Sequence, residues 1–510
     1  MSEPDTMPKK ESSKKKGGGR PDFVTPEYIA AQRAKREQAK AEKARSNAEL
    51  GILPVEPVFN TNFRKRPMLA ICGKGGLASG AAFVDVKIMT YNVLGQALIR
   101  RKLFPTNGDA LKWRWRSKML LSELKYYNAD IMCLQEVDLA HMDTFYVPEL
   151  KKLGYDLLYL RGDGKNHGLL ICWRISMCSL VESESVVYDN DNGYDPADVD
   201  AKATVPQART RNVASLVALK FNEQDKGGLI IGTTHLFWHP HGTFERTRQA
   251  AVLVRNAKKF ASQIDRRWPV FLAGDFNSLP FDSPYLCLTK GKETRNTVHS
   301  YEILRSSWEH EYKRKESDEE EEVVEGDEGD EGDEESIDWP EERPELAAAA
   351  QAVVAELSPS TPADGQVPAS AAETAGESRQ QASIRKKSTI EDIMELHDNN
   401  NVLLRSLYGA FYRHVHPENA DLELRNGEPA FSNWAFTWRG LLDYIFVMEY
   451  PDRRACDSAD KREIVQGVSV LELLRLPEPE EMGEEPSGQP REGQYPSDHL
   501  CLMAKVRVVP

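Results

Sequence analysis

The sequence predicts an α/β fold in which two mixed β-sheets pack face to face with helices outside. Three observations predict it. Strand-length apolar runs alternate with longer amphipathic segments over most of the chain, which is the pattern of helices laid on sheets. Some runs, such as those ending at Phe221 and starting at Gly228, are joined too tightly for a helix, so antiparallel pairs are mixed with parallel ones. Finally, 510 residues with 40% hydrophobic and 29% charged content fit one large core diluted by segments that do not fold.

The elements follow in order. Residues 1–60 are rich in Lys, Arg, Ala and Gly, with the cluster Lys14-Lys15-Lys16 and an Ala/Lys/Arg run from Ala30 to Arg45, and are expected to form a basic, disordered tail. Such a tail serves as a solvated spacer, a phosphate-binding arm or a nuclear-import signal. Val86–Leu94 is an expected strand, and Ala110–Tyr127 an amphipathic helix with Leu111, Trp115, Leu120 and Leu124 near one face. Further strands are expected at Asp130–Val137, Gly168–Ile175, Asn212–Phe221, Gly228–Leu236 and Pro269–Phe276, with a helix at Phe244–Ile264. Residues 314–388 hold an acidic run, an Ala-rich stretch and a Pro/Ser/Gly/Gln mixture, which cannot bury enough apolar surface to offset the entropy of ordering. The domain resumes with a helix near Ile390 and strands at Leu441–Met448 and Leu500–Val508, and Pro477–Gln494 has the composition of a second disordered stretch. One domain over 84–510, interrupted by an insertion at 314–388, accounts for this pattern.

The formal net charge of -14 argues against a nucleic-acid partner only until it is located, because Glu316–Glu335 carries 14 acidic residues and no basic one. The remainder is close to neutral. Seven scattered cysteines without a C-x-x-C pair point to reduced, buried thiols. No apolar run is long enough to span a membrane, and the early acids Glu3, Asp5 and Glu11 weigh against a transit peptide. Nucleus or cytoplasm is the expected location.

Acid, amide and imidazole side chains recur at strand ends. Asn92, Glu136, His235 and the pair Asp275 and Asn277 each close an apolar run, Asp443 opens one, and Ser497-Asp498-His499 immediately precedes the last. A single Asp or Asn at such a place is ordinarily a turn former. Six placements in one chain suit metal-assisted hydrolysis of a phosphodiester. Hard carboxylate and amide oxygens select Mg²⁺, with Mn²⁺ as a substitute, and an imidazole beside an acid handles protons near neutral pH. No covalent-nucleophile signature accompanies them.

Six blocks in fixed order carry a resemblance: Thr90–Leu94 (TYNVL), Cys133–Val137 (CLQEV), Thr234–Pro240 (THLFWHP), Gly274–Ser278 (GDFNS), Phe431–Asn433 with Leu442–Phe446 (FSN, LDYIF) and Tyr495–His499 (YPSDH). With them the sequence resembles the endonuclease/exonuclease/phosphatase superfamily, in its deadenylase and nocturnin-like branch, and most closely the fungal Ngl-type RNA exonucleases. The resemblance implies a DNase-like four-layer α/β sandwich and a Mg²⁺-dependent 3′-to-5′ exoribonuclease acting on single-stranded RNA, in ribosomal RNA 3′-end processing or poly(A) shortening. Position by position it implies Glu136 as the principal metal ligand with Asn92 beside it and Asp498 in support. Asp275 and Asn277 would handle water and phosphate, His499 would be the catalytic histidine oriented by Asp443, and His235 and Asn433 would hold the scissile phosphate. Pro240 and Trp438 stand where relatives grip a base, Trp438 offering a stacking face. The acidic insertion departs from the family pattern and is expected to be a spacer or a docking site for basic pre-ribosomal proteins. Two other readings stay open: a phosphatase for a small nucleotide such as NADPH, and a catalytically inert RNA-binding scaffold.

Overall fold

In the computed structural model, runs that alternate in sequence become strands buried on both faces. It describes residues 59–73, 83–100, 103–191, 204–223, 226–312, 388–420, 426–436, 438–452, 460–483 and 488–509. The expected basic tail, up to residue 58, and the acidic insertion, up to residue 387, lie outside the described residues.

The chain begins with Met68–Ala70 (β1) and Val84–Asn92 (β2), then the helix Trp113–Tyr127 (α1), Ile131–Asp138 (β3), and the short helix Val147–Lys152 (α2). Strands Tyr155–Arg161 (β4), His167–Arg174 (β5), Cys178–Val187 (β6), Val213–Phe221 (β7) and Gly228–His235 (β8) come next. Thr243–Ile264 (α3), Val270–Asp275 (β9), Ser283–Thr289 (α4) and Val298–Glu309 (α5) complete the part before the insertion. After it come Ile390–Asn400 (α6), Leu403–Ser406 (β10), Leu407–Val415 (α7), Asn433–Trp434 (β11) and Arg439–Gly440 (β12). Asp443–Glu449 (β13), Glu463–Val465 (β14), Val468–Leu474 (β15) and Leu502–Val508 (β16) close the chain.

One sheet has eight strands in the order β1-β15-β16-β2-β3-β5-β4, with β14 on β15, and the other has six in the order β10-β13-β9-β8-β7-β6. Among the described strands only β2/β3 and β8/β9 run parallel, and each of these pairs is joined by a helix, α1 or α3, because a parallel partner requires a crossover. Alternation sorts the side chains into layers. Val86, Ile88, Ile131 and Cys133 of the first sheet meet Val217, Leu219, Phe271 and Ala273 of the second in the central core. Their alternate neighbours Met89, Tyr91, Met132 and Leu134 pack outward against Leu120 and Leu124 of α1, while Leu216, Ala218, Val270 and Leu272 pack against α3. The result is the expected helix–sheet–sheet–helix sandwich.

Three expectations are corrected. The helix expected from Ala110 starts at Trp113, because Leu111 is drawn into a small cluster with Leu94 and Phe104 and Lys112 becomes extended. Its buried face is Arg116, Met119, Leu120, Glu123, Leu124 and Tyr127 rather than Leu111 and Trp115. The stretch Pro477–Gln494 contains a short helical turn, Pro479–Met482, with Met482 in the core, and Asn107 Nδ2 donates to the carbonyls of Gly488 and Pro490 at 2.9 and 2.7 Å. Long-range hydrogen bonds order what composition alone leaves loose. Cys72 is exposed, whereas Cys133, Cys172, Cys178, Cys287 and Cys501 are buried free thiols, and Cys456 lies outside the described residues. No described helix is long and apolar enough to cross a membrane.

Candidate functional site

The carboxyl ends of both parallel strand pairs meet the starts of two antiparallel strands at one edge of the sandwich, the place where open α/β sheets expose chemistry. Asn92 ends β2, His235 ends β8 and Asp275 ends β9, with His235 and then Asp443 directly opposite Asp275 in register. His499 lies just before β16, which pairs with β2.

Glu136 sits where the pairing of β3 with β5 shifts register between Leu134 and Val137. Its φ of 59° is left-handed, an uncommon conformation for a non-glycine residue, and the bulge turns its carboxylate out of the ladder. The Gly95 N–H donates to Oε2 at 2.9 Å and Asn92 Nδ2 to Oε1 at 2.9 Å. Burial works against the charged carboxylate, but His235, His167, the Asn92 amide and the Gly95 N–H together hold it below the usual range. The same Asn92 Nδ2 donates to Asp275 Oδ2 at 3.0 Å, so one amide NH₂ stands between two carboxylates. That is where a divalent cation gains most, and Glu136 and Asp275 carry the hard oxygens such a cation prefers, while Asn92 Oδ1 accepts from the Leu94 N–H at 3.1 Å.

His499 Nδ1 lies 2.8 Å from Asp443 Oδ2, which also accepts from Ser432 Oγ at 2.7 Å. Ser432 Oγ in turn takes the Leu442 and Asp443 N–H groups, fixing the carboxylate. The other face of the imidazole, Nε2, is 3.7 Å from Asp275 Oδ2. Burial disfavours the imidazolium, yet Asp443 and Asp275 outweigh it and raise the His499 pKa well above the histidine range. Burial also raises Asp443, with His499 opposing and Asp275 adding. Ligand atoms of Asp275, Asp443 and His499 fall within 4.8 Å of one another, a spacing a metal ion could use. Asp443 Oδ2 is already committed to His499 and Ser432, so this trio is better described as a histidine–aspartate pair facing the Asp275 carboxylate.

His235 Nε2 is 3.6 Å from Asp275 Oδ2 and its Nδ1 is 4.0 Å from Glu136 Oε1. Asn277, at φ 47°, donates its backbone N–H to Asp275 Oδ1 and its amide to the Leu236 carbonyl, tying the ends of β8 and β9 together. Asn433 is buried and bridges His499 through the backbone. Asp498 lies in the same neighbourhood. Its pKa is pushed up to about 6 by burial, with His499 opposing and Glu136 adding. Trp438 and Pro240 are both exposed, Trp438 in the β11–β12 turn that begins with Asn433 and Pro240 in the loop leaving His235; no described contact joins either to the central groups.

Two supporting residues escape sequence reasoning. Ser432 has no signal beyond its place beside Asn433. Arg116 is fully buried in α1, donating to the carbonyls of Val93 at 3.1 Å, Leu94 at 2.6 Å and Pro496 at 2.9 Å. It joins the loop after Asn92 to the loop before His499, and the only trace of this in the sequence is a charge on the apolar stripe of the helix.

A model of the endonuclease/exonuclease/phosphatase family matches residues 89–290. A probable RNA exonuclease of Schizosaccharomyces pombe is 37% identical, covering 97% of this chain and 91% of its own length. RNA exonuclease NGL2 of Saccharomyces cerevisiae is 36% identical over the same shares, 97% and 91%. Among solved structures, ANGEL2, described as a 2′,3′-cyclic phosphatase, in complex with adenosine-2′,3′-vanadate, aligns over 88% of this chain and 100% of that one, with a TM-score of 0.51 at 22% identity. That likeness is one of fold.

Proposed function

The chain belongs to the endonuclease/exonuclease/phosphatase family, and on that premise we propose that it is a Mg²⁺-dependent exoribonuclease that removes nucleotides from the 3′ end of single-stranded RNA. The observation that carries the reading is the Asn92 amide shared by Glu136 and Asp275, within reach of the His499–Asp443 dyad. The names of the relatives support RNA as the substrate.

Bound Mg²⁺ would supply charge neutralisation for the phosphate and an activated water. Glu136 and Asn92 would hold it, with Asp275 and Asp498 on its border. Asp275 Oδ2 takes the proton of the attacking water, whose oxygen joins the phosphorus as the bond to the 3′-oxygen of the remaining strand breaks and that oxygen takes a proton from solvent, and Asn277 keeps the Asp275 carboxylate aimed through its backbone N–H. His499, fixed by Asp443 at Nδ1, presents Nε2 to the phosphate, and as an imidazolium it counters the charge that develops there. His235 and Asn433 would flank the phosphate, while Pro240 and Trp438 would grip the terminal base. We assign the natural substrate to ribosomal RNA 3′ ends or poly(A) tails in the nucleus or cytoplasm, with acidic residues 316–335 as a docking segment for basic pre-ribosomal proteins.

The test is cleavage of a 5′-labelled RNA ending in adenosines, with Mg²⁺ and then with EDTA, by wild type and Asp275→Ala. A ladder shortening from the 3′ end, absent in EDTA and in the variant, is expected. Intact RNA alongside dephosphorylation of NADPH would replace the ribonuclease with the small-nucleotide phosphatase.

A further inference from the structure

On the β3 side of the site, the turn between β4 and β5 carries a lysine that the catalytic scheme does not use. Lys165 Nζ donates to Asn212 Oδ1 at 2.6 Å, and Asn212 Nδ2 donates at 2.9 Å to the carbonyl of His235. One hydrogen-bonded residue therefore separates the ammonium from the backbone of His235. Lys165 makes no ion pair with any described residue, although it is only partly exposed. Partly buried ammonium groups usually have an anionic partner, so the missing counter-charge needs an explanation.

The surroundings hold the lysine next to a second cation. Gly162 lies so close to the Arg211 backbone that a Cβ there would come within 1.8 Å of the Arg211 carbonyl oxygen, and one on Gly164 would meet Arg211 Nη1 at 3.2 Å. Only glycines let this turn sit on the Arg211 segment. That segment is itself fixed: Asp189 accepts from the Thr210 N–H, the Thr210 hydroxyl and the Arg211 N–H at 3.1, 3.0 and 2.7 Å, and Arg211 has a left-handed φ of 54°. Asp189 thus spends its hydrogen bonds on positioning Arg211 and makes no salt bridge to Lys165, although its charge still favours the ammonium. Burial lowers the Lys165 pKa to about 8, Asp189 opposing, Arg211 adding and Glu136 opposing again. At neutral pH the group is still mostly charged, and an arriving anion would relieve the repulsion from Arg211.

We propose that Lys165, seated beside Arg211, binds a phosphate of the RNA strand next to the scissile one, so that the enzyme holds its substrate by two consecutive phosphates. The identity of the ligand rests on the ribonuclease reading; the anion site rests on the geometry alone. Direct binding separates the two. Affinity of the full chain for a short single-stranded RNA is measured in EDTA, where nothing is cleaved, over a series of salt concentrations. Lys165→Gln is expected to bind about tenfold more weakly at low salt, with a log–log salt slope shallower by about 0.7, the contribution of one phosphate contact on a single strand. Lys165→Arg keeps the charge and is expected to retain most of the affinity and the slope. A melting curve shows that each variant is folded. Unchanged affinity and slope in Lys165→Gln, or no RNA binding by the wild type, overturns the subsite. The Mg²⁺ cleavage ladder of the wild type judges the ribonuclease reading independently, whatever the binding series gives.

Discussion

The site is built by residues whose geometry serves the reaction at the cost of local comfort. Glu136 and Asn277 both take left-handed backbone, Glu136 at the bulge in β3 and Asn277 in the loop just after β9. Replacing Glu136 by Gln keeps the volume and removes the charge, so Mg²⁺-dependent cleavage should be abolished and the rise in melting temperature on adding Mg²⁺ to the wild type should disappear. A variant that still melts higher with Mg²⁺ would move the metal to other ligands. Ser432→Ala frees one side of Asp443 without touching His499, and a fall in kcat of about 10- to 100-fold with KM unchanged is expected from steady-state kinetics. Asp443→Asn should cost more, roughly 100- to 10,000-fold, because the imidazole loses its anionic partner. Acids and imidazoles at strand ends were legible because alternation forces apolar neighbours around them. Ser432, Arg116 and Lys165 were not: Ser432 is one serine among many until folding sets it on Asp443, and Arg116 and Lys165 act on groups far away in sequence, Pro496 and Asn212.

Among the elements, β13 shows how pairing sets distance. Its first residue, Asp443, opposes Asp275 in the ladder with β9, so the spacing between dyad and carboxylate is a property of the register rather than of side-chain choice. Central strands were legible in the sequence because they are apolar on both faces. The edge strands β4 and β6 were not: β6 alternates serine and glutamate with apolar residues such as Leu180 and Val181 that stay exposed, the composition of a half-solvated edge. In β15, V-S-V-L-E-L-L fits a helix as readily as a strand, and only its ladders with β1, β14 and β16 decide. Beneath α4 and α7, Glu428 is buried and accepts from Tyr285 at 2.9 Å, while its other oxygen has no hydrogen-bond partner among the described residues, and burial, with Ser406, Tyr285 and Lys290 opposing, raises its pKa from 4.5 to about 7. A raised carboxyl stabilises the fold below its ordinary pKa of 4.5, and that stability is lost as pH rises through about 7. Glu428→Gln should therefore flatten this part of the stability profile and add on the order of 1–3 kcal/mol above neutrality, read from urea midpoints. A wild-type profile that does not fall between these two pKa values would contradict it.

At the level of the whole molecule, the two ends of the insertion are fastened together. Trp308 Nε1 donates to the Ser388 carbonyl at 2.9 Å, the Val205 N–H donates to Ser388 Oγ at 2.6 Å, and Gln207 Nε2 reaches the carbonyls of Ser307, Trp308 and His310. Replacing residues 313–387 by a short Gly/Ser linker is expected to change the melting temperature by less than about 2 °C and to leave cleavage of the labelled RNA intact, since loop length enters stability only logarithmically. Loss of folding would mean that the segment contributes to the core. That the domain is interrupted at all was legible from composition, because no packed layer could be made from such a run of acids and small residues. How the two halves interlock was not, for strand order is long-range information.

That interlocking bears on what a protease could do. A cut between Tyr312 and Ser388 would leave Asn92, Glu136, His235, Asp275 and Asn277 on one piece and Asn433, Asp443 and His499 on the other. The second piece supplies β13, paired on either side with β9 and β10, and β16, paired with β2. The first piece would hold the carboxylates without the dyad, and the second the dyad without the carboxylates. Nicked there, the chain would behave as a two-part lock: silent when its parts are separated, and active when each lends its strands to the sheets of the other.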